Sequence, residues 1–116
     1  MRNFKTLGVW QKGMDILKHT YSLTATLPNS EKFGLVSQMN RAAVSIPSNV
    51  AEGASRSTQK DFRRFLEIAL GSAFELETQL IAVQELNLVQ ESEATTLAGL
   101  IDEEQKMLIA FMKKLN

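Results

Sequence analysis

No cysteine occurs in this chain of 116 residues, which excludes disulfides, thiolate catalysis and cysteine-ligated metals. Histidine is almost as scarce. His19 stands alone, and the residue three before it is Ile16, not the glutamate that a di-iron site in a helical bundle requires. Triad catalysis would rest on this same histidine with no recognisable nucleophile motif beside it. The segments around Gly53 and Gly71 lack the signature of a phosphate-cradling loop. No apolar run approaches the length of a membrane span, and the opening MRNFKTLGVWQKG contains no stretch resembling a signal peptide. These absences predict a soluble, cytoplasmic, non-enzymatic protein with no cofactor, metal, membrane partner or small-molecule substrate.

What the chain does have is helical periodicity. Hydrophobic residues make up 44% and charged residues 22%, an ordinary balance for one globular domain spanning residues 1–116. A first helix is predicted over about 9–26, where Trp10, Met14, Leu17 and Tyr21 recur at spacings of four, three and four; Ile16 and Leu23 lie off that stripe. Pro28 ends it, and Asn29 or Ser30 is placed to cap the next helix. A second helix is predicted over about 31–54 with Leu35, Met39, Ala42, Ile46 and Val50 inward. Pro47 stands in its middle, so the helix is expected to kink there or, as the alternative, to break into two.

Ser57 or Thr58 opens a third helix over about 58–87. Phe62, Phe65, Leu66, Ala69, Ala73, Leu76, Leu80 and Val83 form one apolar stripe, and Leu70, Phe74 and Ile81 form a second line beside it. Two lines imply a central helix or one that also meets another subunit. The last helix, about 91–115, turns Leu97, Ile101, Leu108, Phe111 and Leu115 inward, with acids at its start and lysines at its end as the helix dipole prefers. No segment alternates like a strand. The prediction is all-α: an antiparallel up-down-up-down four-helix bundle with a Pro-kinked second helix.

The net charge is zero, but it is unevenly spread. From Glu67 to Glu104 every charged residue is acidic, whereas Arg56, Lys60, Arg63 and Arg64 gather before and within the first turns of the third helix.

Several segments resemble the four-helix-bundle family encoded in intervening sequences of bacterial 23S ribosomal RNA genes. They are Val9-Trp10-Gln11-Lys12, Glu31-Lys32-Phe33-Gly34-Leu35, the run from Gln38 to Pro47, Asn49-Val50-Ala51-Glu52-Gly53, and Gly71 to Gln79. The resemblance implies a bundle with a Pro-bent second helix and a ring-like homo-oligomer, a pentamer. It also reaches a related branch, the accessory variability proteins of diversity-generating retroelements, which are basic, bind nucleic acid and partner a reverse transcriptase. The zero net charge and the acid-only stretch depart from that branch.

Two groups of residues are candidate sites. Arg56, Lys60, Arg63 and Arg64 form a basic corner suited to phosphates of RNA or DNA, with Lys60, Arg63 and Arg64 at i, i+3 and i+4. Arg41 is expected in an ion pair with Glu52, Glu75 or Glu77, sharing a polar layer with Gln38 and Asn49 near Pro47 that sets helix register or carries a subunit contact. Three roles are open to such a chain: a self-associating bundle, a nucleic-acid-binding module, or an adaptor docking charged protein partners.

Overall fold

The computed structural model describes residues 2–115. Four helices account for most of them: α1 Gly8–Thr24, α2 Ser37–Ala54, α3 Gln59–Glu85 and α4 Glu91–Lys114. They pack in a square, with α1 and α3 at opposite corners and α2 and α4 between them. The molecule measures 43 × 23 × 19 Å, and its length is that of α3, about 40 Å at 1.5 Å per residue. There is no strand among the described residues.

Each boundary has a local cause. Thr58 caps α3, its Oγ1 accepting from the Asp61 N–H at 3.1 Å. Leu88 N–H donates to Val83 O and Asn87 N–H to Gln84 O, each at 3.0 Å, while Asn87 takes a left-handed φ of 56°. This is a Schellman close with asparagine in the place usually held by glycine. The α1–α2 connection departs from the predicted helix over 31–54. A 3-10 turn at Asn29–Glu31 and a wider π turn at Lys32–Val36 come first, and Gly34 leaves helical geometry at φ −108°, ψ −107°. Neither Asn29 nor Ser30 caps α2, because regular helix begins only at Ser37. Pro47 lies inside α2 and the helix runs on through it, so the alternative of two separate helices is not what forms.

Burial confirms the α3 stripe residue by residue: all eight of its members are buried. Met39, Ala42, Ile46 and Val50 of α2 and Leu97, Ile101, Leu108 and Leu115 of the last helix region are buried too, while Leu35 and Phe111 are half-buried. The first helix is a correction. Its buried face is Val9, Gly13, Ile16, Thr20, Leu23 and Thr24, and the stripe Trp10–Met14–Leu17–Tyr21 is its flank, with Tyr21 46% exposed. The reason is chemical. Gly13 admits close neighbours, and Thr20 satisfies its hydroxyl internally by donating to Ile16 O at 2.7 Å, so neither position announces burial by hydrophobicity.

Two glycines bring helices together. A Cβ on Gly53 would lie 2.7 Å from Phe65 Cβ and 2.9 Å from Phe62 Cδ1, which fixes the approach of α2 to α3. A Cβ on Gly13 would meet Pro47 Cβ and Glu104 Oε2 at 3.3 Å, joining α1 to both its neighbours.

Candidate functional site

The basic corner forms at the end of the bundle where α2 and α4 finish and α1 and α3 begin. Its guanidinium groups are largely engaged with the fold. Arg2, which no pattern in the sequence singles out, donates through Nη1 to Arg56 O at 2.9 Å and Ala54 O at 3.4 Å, and its guanidinium lies 4.5 Å from the Phe62 ring centroid. It thereby satisfies carbonyls left open at the end of α2. Arg63 does the same for α4, donating to Leu115 O at 3.2 Å. Arg56 and Arg64 both lie over the Phe65 ring, 4.7 and 4.9 Å from its centroid, and Arg56 also pairs with Glu52 at 3.1 Å.

The helix face expected to be shared by Lys60, Arg63 and Arg64 is therefore divided. Arg63 turns toward α4, while Arg56 and Arg64 converge on Phe65 from the other side; Lys60 is exposed beside them. Phe65 is buried, so its ring serves the cations and offers no stacking surface to a base. Arg2, Ser55, Arg56 and Ser57 line an open cleft at this corner.

The expected polar layer is also divided. Arg41 is exposed and makes no ion pair among the described residues, because Ala42 and Ala43 occupy the packed face and leave Arg41 at its margin. Glu52 faces Arg56. Glu77 accepts from Gln105 Nε2 at 2.8 Å across the α3–α4 seam, and Glu75 accepts from Gln79 at 3.4 Å. Only Gln38, Arg41 and Glu75 come together, with Ala42 and Ser45, around a niche of about 170 Å³ between α2 and α3. Asn49 lies deeper, donating to Ser45 O at 2.8 Å and Ser45 Oγ at 2.9 Å; that hydroxyl pairs with Ser72 Oγ at 2.8 Å. This short chain ties α2 to α3 two residues either side of Pro47.

Two apolar flanks border the core, with Trp10 and Leu70 half-buried against it. On α1, Lys12 reaches Glu103 of α4, and Thr24 Oγ1 donates to Asn40 of α2. These contacts place Trp10, Met14, Leu17 and Tyr21 on the α2 side, and the outward Val44 of α2 belongs to the same side by helical spacing. On the opposite side of the square, Phe74 is 52% exposed and Ile81 49%, with Leu70 half-buried. The Glu77–Gln105 contact sets the antiparallel register there and puts Ile109, 40% exposed, alongside Phe74. The second apolar line read on the third helix thus lies on the surface.

One buried group went unread in the sequence. Glu104 is fully buried, and neither carboxyl oxygen has a hydrogen-bond partner among the described residues. Burial pushes its carboxyl up to about 8, with the Lys12 ammonium pulling weakly the other way. The signal was available: the α4 stripe steps from Ile101 to Leu108, and Glu104 occupies the vacant inward position between them.

Among the described residues no helix is long and apolar enough to cross a membrane, and no three His, Cys, Asp or Glu side chains are grouped to hold a metal ion.

Comparison with known proteins agrees with this architecture. The family model described as 23S rRNA-intervening sequence protein matches residues 5–110. A crystal structure from Bacteroides thetaiotaomicron VPI-5482, of a protein with unknown function from the S23 ribosomal protein family, superposes with a TM-score of 0.84. The two are 26% identical, and the match covers 90% of this chain and 98% of the other. No curated protein matches. The chain belongs to the 23S rRNA-intervening sequence protein family.

Proposed function

We propose that this member of the family is a non-enzymatic, self-associating bundle whose copies join through unlike faces. The observation that carries the reading is the pair of apolar flanks on opposite sides of the square: Trp10, Met14, Leu17, Tyr21 and Val44 on the α1–α2 side, Phe74, Ile81 and Ile109 on the α3–α4 side. Exposed apolar side chains that recur along a helix flank gain roughly 25 cal/mol for each Å² removed from water. Two unlike patches on one subunit make a heterologous contact, which closes into a ring when the rotation permits. The family resemblance implies five copies.

A mixing experiment tests the pairing. Tyr21→Glu breaks one flank and Phe74→Glu the other, and each variant alone should be monomeric. Mixed, they should form a one-to-one heterodimer through the two intact faces. If either variant alone remains a dimer, like faces pair and the heterologous reading fails.

A second reading rests on the basic end. The fold adds Arg2 to Arg56, Lys60, Arg63 and Arg64 there, and a ring would repeat that group around one rim. The exposed cations would then hold phosphates of structured RNA or duplex DNA. Fluorescence anisotropy over a salt series tests it. Affinity should fall steeply with salt, and Lys60→Glu with Arg64→Glu should weaken binding for every sequence. Unchanged affinity in that variant removes this surface from consideration.

A further inference from the structure

The geometry points to a proton-controlled latch at Glu104: protonated, its carboxyl lets α1 close on α4, and ionised, it loosens that seam. The carboxyl sits where three helices meet: a Cβ on Gly13 of α1 would lie 3.3 Å from Glu104 Oε2 of α4 and 3.3–3.4 Å from Pro47 and Ile46 of α2. It is fully buried with both oxygens unpartnered among the described residues. A neutral acid tolerates such a place far better than a carboxylate does, since an ionised group there lacks both water and a counter-charge.

The surrounding charges do not rescue the anion. From α1, Lys12 is held by Glu103 at 3.1 Å, and Asp15 is exposed. The α2 face toward Glu104 is apolar, and Arg41 is exposed on the flank that faces α3. On α3, Glu75 and Glu77 are exposed acids, while the buried polar residues Ser72 and Gln79 carry no charge. On α4 itself, Lys106 pairs with Asp102. Among the described residues Lys12 is the cation that acts on the carboxyl, and burial outweighs it, raising the titration to about 8.

The sign comes from proton counting. Between the unfolded value of 4.5 and the folded value near 8, the folded chain holds a proton that the unfolded chain has released. Stability contributed by the neutral acid is complete below the lower value and lost as pH rises through the upper one.

Thermal unfolding from pH 5 to 9 at fixed ionic strength tests the latch in the intact protein and in Glu104→Gln. The native chain should lose roughly 5–15 °C of Tm across that range, and the variant should lose much less. In the native protein the single tryptophan, Trp10 on α1, should shift its emission to the red above pH 8 as the seam loosens. The Glu104 carboxyl carbon, followed by NMR in the native chain, should titrate near 8, and Lys12→Met should move that midpoint higher. An ordinary midpoint near 4.5, or equal pH slopes in native and variant proteins, would overturn the proposal. The NMR titration needs no variant, so the test survives a Glu104→Gln chain that fails to fold.

Discussion

The α2–α3 seam and the α1–α4 seam use similar materials to different ends. Where α2 meets α3, Gly53 receives two phenylalanines, and Ser45, Ser72 and Asn49 close a hydrogen-bonded chain without charge. Where α1 meets α4, Gly13 receives a carboxyl oxygen instead, and the nearby lysine looks outward to Glu103. The first seam answers its serine and asparagine side chains internally and is built for stability. The second carries an unanswered acid whose cost depends on pH, so one side of the bundle is firm and the other adjustable.

The largest expected effect comes from pH itself. Loss of one bound proton gives a slope of at most about 1.4 kcal/mol per pH unit. Urea unfolding should show the native protein losing on the order of 3 kcal/mol between pH 5 and pH 8, and a flat profile would make the two seams equivalent. Gly53→Ala should come next, costing about 1–3 kcal/mol, because the new methyl meets the root of the Phe65 side chain and must displace backbone. The better helix propensity of alanine offsets only part of this. Asn49→Ala should cost about 1 kcal/mol by chemical denaturation, since Ser45 keeps its contact with Ser72. Lys12→Met should change stability least, by under about 1 kcal/mol, because Glu103 is mostly in water; a larger loss would show that the lysine supports the α1–α4 seam directly.

Legibility in the sequence tracked chemical contrast. The main stripe of the third helix was readable because its inward positions are apolar and most of those opposite are charged, whereas Ser72 and Gln79, buried beside it, carry no hydrophobic signal. The first helix was misread by one flank, since glycine and threonine on its packed face carry less hydrophobic signal than the tryptophan and tyrosine beside them. Glu104 was hidden in a run of acids that are otherwise solvent-facing, although its place on the α4 stripe could have exposed it. Arg41 was expected in a buried pair because small residues surround it in sequence; those small residues pack, and the arginine stays outside. The basic cluster was visible as composition, but sequence spacing does not reveal that Arg2 and Arg63 serve open helix ends or that Phe65 lies beneath Arg56 and Arg64.

Self-association through the two flanks stands or falls on the mass of the native protein in solution. Sedimentation equilibrium at micromolar concentration should give a mass several times that of one chain, five times if the ring implied by the family forms. A monomeric mass under those conditions would contradict it, leaving the flanks of α1 and α3 as exposed apolar surface without a partner copy.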